Sequence, residues 1–480
     1  MNWARVLVAA LVMSAIATAQ VTFSKTAYGA NQSPNSAVTG DFNKDGKPDF
    51  AVMEAGNMLT IYLNVGSGKF SRKAQYAIVT NDNAARIDTA DMNGDGKLDI
   101  VIGKQFAPEF EIWYGNGDGT FTFGKDVATS SPDAYDFALA DVNGDGHVDF
   151  LNVYNDDSSS FANTYINDGA ANFTEVPGPT FDSFVSNFAV ADFDRDGKLD
   201  ILVRVHGNLQ EYAGDGAGAF TLHSTSAVVD GLGAMTVGSF NHDSSLDVAI
   251  RVWNCPAEGC TASNRSKVSI YLNDGTGHFG LRSSYTAGVG MGGFTFEYPG
   301  AADFAGDLNG DGIQDLLLPG ADLVNGNSVS LQYLLNTGDG HFTGPFSAGS
   351  FSRQDVPAIR DLNRDGRHDL VVPANSSYVL LNTNAAVMCT PPGSASLSIH
   401  LCGPADGATV AKTFTVSAGG NSPAGVTLMQ MYVDGKKSFE LWNDQLKRTI
   451  TVSAGKHRVA IVAMDRYRKT TTKTINVTAN

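Results

Sequence analysis

Short apolar runs separated by polar, glycine-rich turns fill the chain up to about residue 384. Typical runs are LTIYLN at 59–64 and VSIYLN at 268–273. Each precedes a turn that closes on an aromatic residue, as in NVGSGKF at 64–70 and NDGTGHF at 273–279. Runs of this length, bounded by turn residues and rich in β-branched and aromatic side chains, predict β-strands.

An acidic loop precedes another kind of apolar run. In DMNGDGKLDI, residues 91–100, oxygen-bearing side chains occupy positions 1, 3, 5 and 9, and a glycine occupies position 6. The β-branched residues that follow Asp99 predict that the loop leads into a strand. Oxygen-only ligands in one tight turn suit a hard divalent cation, and Ca²⁺ better than Mg²⁺. The alternative is an Asx-rich turn without metal, because Asp, Asn and Gly favour turns in any case.

The acidic loop recurs along the chain at intervals of 47 to 68 residues. Self-similarity of this kind indicates a repeat architecture. The six intact loops contain Asp41, Asn43, Asp45 and Asp49; Asp91, Asn93, Asp95 and Asp99; Asp141, Asn143, Asp145 and Asp149; Asp192, Asp194, Asp196 and Asp200; Asp307, Asn309, Asp311 and Asp315; and Asp361, Asn363, Asp365 and Asp369. A seventh copy, SFNHDSSLD at 239–247, has serine at position 1 and at the glycine position.

Each repeat contains four predicted strands, two flanking the acidic loop and two flanking the glycine-rich turn. Four short strands per 40 to 50 residues is the spacing of a propeller blade, so seven repeats predict seven blades. Residues 21–29 form a strand with no blade before it, and the last repeat stops before its fourth strand. We expect the N-terminal strand to complete the last blade and close the ring.

The acidic loops and the glycine-aromatic turns resemble FG-GAP/VCBS repeats, as in the integrin alpha-chain propeller and many secreted bacterial proteins. The resemblance covers about residues 21–384. It implies an all-β, seven-bladed β-propeller in which the acidic loop joins the first two strands of each blade. It also implies about six bound Ca²⁺ ions, one in each intact loop, and weak or no metal binding by the loop at 239–247.

The two ends of the chain predict export and a second domain. Residues 1–19 have a basic residue, an apolar core and a small-residue cleavage site, which is typical of a signal peptide. The propeller is predicted over 20–384, followed by a linker over 385–396. Residues 397–480 contain alternating short strands and resemble a bacterial immunoglobulin-like β-sandwich. We expect a secreted or periplasmic monomer without a transmembrane segment.

Four cysteines fit an oxidising compartment. Local pairing predicts the disulfides Cys255–Cys260 and Cys389–Cys402, although four cysteines allow three connectivities. A metal site at Cys255 and Cys260 is the alternative for the first pair.

Charge divides between the two predicted domains. Residues 388–480 carry a net charge of +6, which leaves −23 for residues 1–387. Most of the acidic excess lies in the proposed metal loops, where Ca²⁺ would offset it. An acidic propeller argues against nucleic-acid binding. The basic run DRYRK at 465–469 is interpreted as a solvated hairpin tip; the alternative is contact with an anionic polymer or with the acidic propeller.

No HExxH, GxSxG or phosphate-loop motif occurs, so an enzyme is not indicated. The sequence favours a binding or adhesion module for an extracellular glycan or protein. The alternative is a lyase- or hydrolase-like enzyme on extracellular polysaccharide, because a propeller fold supports either function. Loops on the face opposite the acidic loops are expected to meet the ligand. Their candidate residues are Phe106, Arg204, His206 and Trp253, each of which could instead be structural.

Overall fold

The computed structural model describes residues 20–29, 34–78, 85–104, 107–131, 136–155, 160–181, 183–229, 233–241, 243–252, 265–289, 305–318, 329–351, 357–384, 389–393 and 395–480. These residues form 36 strands and the turns between them, with no helix among them. The proposed signal peptide, residues 1–19, and the cysteines Cys255 and Cys260 lie outside the described residues.

Seven four-stranded antiparallel sheets follow one another along the chain, which confirms the predicted blades. In blades 1–6 the strands are consecutive in sequence and in space, from an innermost first strand to an outermost fourth strand. Blades 1–3 contain β2 (Pro34–Gly40), β3 (Asp49–Glu54), β4 (Met58–Gly66) and β5 (Lys69–Ala77); β6 (Ala85–Ala90), β7 (Asp99–Lys104), β8 (Glu109–Gly115) and β9 (Phe121–Ala128); and β10 (Phe137–Ala140), β11 (Asp149–Asn155), β12 (Ser160–Asn167) and β13 (Phe173–Phe181). Blades 4–6 contain β14 (Val185–Ala191), β15 (Asp200–Val205), β16 (Asn208–Gly214) and β17 (Phe220–Ala227); β18 (Gly233–Gly238), β19 (Asp247–Val252), β20 (Arg265–Asn273) and β21 (Phe279–Val289); and β22 (Ala305–Gly306), β23 (Asp315–Leu318), β24 (Val329–Asn336) and β25 (Phe342–Phe351).

The N-terminal strand closes the ring, as the sequence predicts. Blade 7 contains β26 (Ala358–Arg360), β27 (Asp369–Pro373) and β28 (Ser377–Asn382), and its fourth strand is β1 (Phe23–Tyr28). β1 pairs antiparallel with β28 over six residues, from Phe23 opposite Asn382 to Tyr28 opposite Ser377. One buried cluster joins Val371 and Val379 of blade 7 to Phe50 and Val52 of blade 1, so the ring is also closed in its core.

The acidic loops all lie on one face of the ring. Each loop connects the first strand of a blade to the second, and antiparallel pairing places the connections from the second to the third strand at the opposite end of the blade. We call these two surfaces the acidic-loop face and the opposite face. The second strands are buried along their whole length in β3, β7, β15 and β19, because neighbouring blades pack on both sides of them.

The C-terminal residues form two packed sheets around one apolar core that includes Val416, Met429 and Ile461. This is a β-sandwich; its specific kinship with immunoglobulin-like domains stays a prediction. A disulfide joins Cys389 to Cys402, with a Cα–Cα distance of 5.7 Å, as predicted. The strands are β29 (Ser398–Gly403), β31 (Thr413–Asn421) and β34 (Gln445–Thr451) in one sheet, and β30 (Thr409–Val410), β36 (Thr470–Ala479), β35 (Gly455–Asp465), β32 (Val426–Val433) and β33 (Lys436–Leu441) in the other.

The basic run at 465–469 docks on the propeller, so its interpretation as a solvated tip is wrong. Arg466 forms an ion pair with Asp88 and donates a hydrogen bond to the Thr89 carbonyl, at 2.7 Å. Tyr467 is only 4% exposed and packs in the core shared by blades 2 and 3. Within the run Tyr467 is buried, Arg466 and Arg468 are half-buried against the propeller, and Lys469 stays exposed.

Further contacts show that the sandwich covers the acidic-loop face near the centre of the ring. Arg360 donates a hydrogen bond to the Pro423 carbonyl at 3.2 Å, and Arg468 donates one to the Gly197 carbonyl at 2.8 Å. His368 Nε2 lies 3.2 Å from Asp444 Oδ1. All the propeller residues in these contacts lie in an acidic loop or next to one.

We expect Tyr467→Ala to release the sandwich from the propeller. The change removes a buried aromatic side chain, which typically costs about 3–5 kcal/mol. Limited proteolysis of the full chain should then cleave near the connection between the two domains, and small-angle scattering should show a larger radius of gyration. Lys456→Ala, at an exposed position of the sandwich, is the control. A compact, protease-resistant Tyr467→Ala protein would contradict this interpretation.

Candidate metal centre

Each acidic loop starts immediately after the first strand of its blade and ends on the first residue of the second strand. Asp91 follows Ala90, the last residue of β6, and Asp99 is the first residue of β7. Gly96 has a φ of +80°, in the left-handed region that favours glycine, so the turn at position 6 requires this residue. The local sequence therefore fixes the positions in the turn from which the four oxygen-bearing side chains extend.

Hydrogen bonds within the loop orient its side chains inward. The two carboxylate oxygens of Asp91 accept hydrogen bonds from the backbone N–H groups of Asp95 and Gly96, at 3.1 and 2.9 Å. Asn93 Oδ1 accepts a second bond from Asp95 N–H, at 3.0 Å. Asp95 in turn accepts a bond from Lys97 N–H, at 3.0 Å. The bonds accepted by Asn93 and Asp95 from two residues ahead are Asx turns, so the loop is held by the same side chains that the sequence proposes as ligands.

The aspartate at position 9 braces the loop against the third strand. Asp99 is fully buried, and its two oxygens accept backbone N–H bonds from Met92 and Gly115, each at 2.9 Å. Burial raises the pKa of Asp99 to about 7, and it does the same for Asp49. A carboxylate in such a place gains from a nearby cation, which offsets the cost of burying its charge.

The donor set fits a calcium ion. Every proposed ligand is a carboxylate or amide oxygen, which is the chemistry that Ca²⁺ prefers. Asp141 Oδ1 and Asp192 Oδ1 are buried and have no hydrogen-bond partner among the described residues. Asp192, Asp194 and Asp200 can place one oxygen each within 4.8 Å of one another. A cation would satisfy oxygens that the protein itself leaves unmatched.

The loop at 239–247 keeps several of these hydrogen bonds without an aspartate at position 1. Ser239 Oγ donates a hydrogen bond to the Asp243 carbonyl at 3.1 Å, and Asp243 accepts Ser245 N–H at 2.8 Å. Asp247 accepts the N–H groups of Phe240 and Asn273, as the other position-9 residues do. Position 9 therefore has a structural role in every blade, whereas position 1 can be lost. That this loop binds metal weakly or not at all stays a prediction.

Sequence reasoning missed a set of asparagines that join neighbouring blades. Asn64 Nδ2 donates hydrogen bonds to Pro48 O in its own blade, at 2.9 Å, and to Leu362 O in blade 7, at 2.7 Å. Equivalent bonds to the preceding blade come from four other buried asparagines: Asn167, Asn273, Asn336 and Asn382. Four of these five asparagines recur as the first residue of a glycine-aromatic turn, and that recurrence was the available signal.

Of the four predicted ligand-facing residues, the structure describes Arg204 and His206. Phe106 and Trp253 lie outside the described residues. Arg204 is 1% exposed within β15, so it cannot meet a surface ligand, and that part of the prediction is wrong. An apolar strand can bury a guanidinium between blades, and sequence pattern alone does not reveal this. His206 is exposed in the turn between β15 and β16, on the opposite face as predicted.

Seven blades closed by an N-terminal strand, each with an acidic loop between its first two strands, define a β-propeller with repeated candidate cation loops. The FG-GAP-like repeat family matches residues 41–102, 141–203 and 307–372, and the FG-GAP repeat family matches residues 83–122. These matches cover segments of blades 1–4, 6 and 7. Among curated proteins, none matches the chain.

Several solved structures are distantly similar. They include an Agrocybe aegerita lectin that recognises non-reducing terminal N-acetylglucosamine, with 16% identity, a TM-score of 0.39, and coverage of 74% of this chain and 86% of the lectin. BBS1N, solved in complex with ARL6DN, has 8% identity, a TM-score of 0.48, and coverage of 77% and 98%. The extracellular domain of the hybrid two-component system BT3049 from B. thetaiotaomicron has 10% identity, a TM-score of 0.39, and coverage of 94% and 56%. At these values the similarity does not indicate a function.

Proposed function

We propose that this protein is an exported, calcium-stabilised binding module for an extracellular glycan or protein. The observation that carries the proposal is that the two faces of the ring differ. The sandwich covers the centre of the acidic-loop face, through contacts such as Arg466 with Asp88 and His368 with Asp444. The opposite face carries the connections that are free of the acidic motif, so it is the face on which a ligand site can vary.

Calcium would be held by the six intact acidic loops, with positions 1, 3, 5 and 9 supplying oxygens. When bound, the ion would neutralise carboxylates that are crowded into one turn and link the loop to the second strand. The chain itself supplies the rest of the structure, because position 9 already joins the loop to the third strand through backbone hydrogen bonds. Calcium would thus act on stability and not on chemistry.

Export is supported by two features. The disulfide Cys389–Cys402 is typical of an oxidising compartment, and residues 1–19 have the pattern of a signal peptide. Among the described residues, no helix is long and apolar enough to cross a membrane.

Two exposed side chains on the opposite face are candidate ligand contacts. Phe184 is 55% exposed, just before the first strand of blade 4, and His206 is exposed in a turn of the same blade. An exposed aromatic ring near the centre of a face can stack on a sugar or fill a hydrophobic pocket of a protein partner. Glycan and protein arrays, probed with and without Ca²⁺, are the experiment that tests binding.

Once an array identifies a ligand, we expect Phe184→Ala to weaken its binding by about ten-fold or more, because exposed aromatic anchors commonly dominate such contacts. Isothermal titration calorimetry with that ligand is the measurement. Phe123→Ala is a matched control, because Phe123 is 47% exposed but lies on the outermost strand of blade 2. Equal losses in both variants, or none in Phe184→Ala, would move the ligand site away from the opposite face.

The alternative function is an enzyme that acts on extracellular polysaccharide. FG-GAP repeats are typical of non-enzymatic propellers, which favours binding. Incubation of the purified protein with a polysaccharide from a positive array spot distinguishes the two, because only an enzyme would shorten the polymer.

A further inference from the structure

Blade 4 buries a carboxylate where the other blades place uncharged side chains. Glu211 lies on the third strand, three residues before the strand ends at Gly214, and it is 0% exposed. Neither of its carboxylate oxygens has a hydrogen-bond partner among the described residues. Burying an ionised carboxylate without a partner costs free energy, so such a group indicates either a bound ligand or a carboxyl that keeps its proton. The equivalent residues in the other blades are Ile61, Ile112, Thr164, Ile270, Tyr333 and Val379.

The acidic loop of the same blade also departs from the repeat. Position 3 is aspartate in blade 4, at Asp194, and asparagine in the other six copies. Where it is asparagine, its amide commonly donates to the position-5 carboxylate, as Asn143 does to Asp145 at 2.8 Å. Asp194 cannot donate. Its Oδ1 accepts Asp196 N–H at 2.9 Å, and its Oδ2 lies 3.8 Å from His223 Nδ1.

His223 completes a group of three side chains from three elements. It lies on β17, the fourth strand, and its side chain is 41% exposed. Asp194, Glu211 and His223 can place one ligand atom each within 4.8 Å of one another. The exposed edge of the imidazole gives an ion a route from solvent, while Glu211 forms the buried floor of the group. Two carboxylates at this separation repel each other unless a cation lies between them.

We propose that Asp194, Glu211 and His223 bind one divalent transition-metal ion of the Zn²⁺ type. An imidazole nitrogen with two carboxylate oxygens suits Zn²⁺ and related ions, whereas calcium sites use oxygen ligands. Three protein ligands leave a fourth tetrahedral position for water. The two carboxylates would cancel the charge of the ion. The site does not rest on calcium binding, although Asp194 belongs to the acidic loop as well.

The position of Glu211 suggests what the ion would do. A Cβ on Gly277, in the glycine-aromatic turn of blade 5, would lie 2.6 Å from Glu211 Oε2, so this turn covers the carboxylate closely. Ser224, next to His223, donates a hydrogen bond to the Gly277 carbonyl. An ion bound by these residues of blade 4 would stabilise the contact between blades 4 and 5.

The test uses the full chain in excess Ca²⁺, titrated with Co²⁺ as a spectroscopic probe and with Zn²⁺ in competition. We expect one Co²⁺ with visible absorption bands that Zn²⁺ removes. His223→Ala and Asp194→Asn should each weaken this binding by about a hundred-fold, because even outer-shell changes cost about 10- to 100-fold. The shift in melting temperature with Ca²⁺ should persist in His223→Ala, because His223 lies on β17 and outside the acidic loop.

His278→Ala is the control, because this exposed histidine lies in the turn of blade 5 and outside the group of three. Its Co²⁺ spectrum and affinity should equal those of the unaltered chain. The proposal is overturned if the unaltered chain takes up neither Co²⁺ nor Zn²⁺ in the presence of Ca²⁺. It is also overturned if both His223→Ala and Asp194→Asn bind these ions as tightly as the parent.

Discussion

A chain that lacks residues 21–29 is expected to lose the stable propeller fold. The deletion removes all six residue pairs between β1 and β28 and leaves β28 as an open edge. It also removes Val21, which is 2% exposed in the core shared by blades 6 and 7. Tyr28 would be lost too, and its hydroxyl accepts the Phe70 N–H in blade 1 at 3.1 Å. Blade 7 would therefore be loosened on both its sheet edge and its contact with blade 1.

The expected loss is comparable with the whole stability of a domain. Burying one aliphatic or aromatic side chain contributes about 1.5–3 kcal/mol, and native domains are stable by only about 5–15 kcal/mol. Scanning calorimetry should show a much lower melting temperature, and size-exclusion chromatography should show aggregates formed through the open edge. A synthetic peptide of residues 20–29 should restore part of the stability by strand addition.

Thr26→Ala provides a control, because Thr26 is exposed on the same strand and its removal leaves the pairing intact. Its melting temperature should match that of the parent chain. A deletion variant that melts like the parent and remains monomeric would refute closure by β1.

The repeat made most of the fold predictable. The acidic loop occurs in seven copies and the glycine-aromatic turn in six. Their regular spacing made it possible to predict where the fourth strands start and that the N-terminal strand closes the ring. The sequence pattern does not indicate β36, because TTTKTINVTA is mostly polar and only Ile475, Val477 and Ala479 bury apolar side chains there. The docking of Tyr467 was not predictable either, since a charge run faces water unless a distant surface of opposite charge covers it.

The sequence predicts those parts of the candidate site whose residues are close together in the chain. Positions 1, 3, 5 and 9 of the acidic loop are close in sequence, and their spacing indicates a common centre. The burial of Arg204 and Glu211 depends on which side chains face a neighbouring blade. It could therefore be recognised only from the tertiary structure. Alignment of the repeats would have distinguished Glu211, because it interrupts a column of uncharged residues. Such internal comparison finds departures from the repeat that single motifs do not reveal.

Calcium is expected to raise the melting temperature of the propeller, and two aspartates form a matched pair to test it. Asp95 and Asp243 both occupy position 5, the first in an intact loop and the second in the loop that lacks an aspartate at position 1. Each accepts a backbone N–H two residues ahead, at 3.0 Å from Lys97 and 2.8 Å from Ser245. Alanine at either position removes the same turn bond, which is worth about 1 kcal/mol. Asp243→Ala also removes the hydrogen bond from Asn241 Nδ2 to Asp243 Oδ2, at 2.6 Å, so the cation is measured by how the difference between the two variants changes from chelator to Ca²⁺.

In saturating Ca²⁺ we expect Asp95→Ala to lose clearly more stability than Asp243→Ala. A ligand at about 100 times its dissociation constant stabilises the folded state by about 2.7 kcal/mol, so loss of one site should add about that amount to the turn bond. In excess chelator the two variants should lose similar, small amounts of stability, because no bound ion is present whose contribution could be lost. The ion pair between Lys97 and Asp95 is partly exposed and adds little to either measurement. Urea unfolding of the parent and of both variants, in Ca²⁺ and in chelator, gives the change in the free energy of unfolding for each variant in each condition. If chelator leaves the parent unchanged, or if Asp95→Ala and Asp243→Ala behave alike in Ca²⁺, the acidic loops are Asx turns that need no metal.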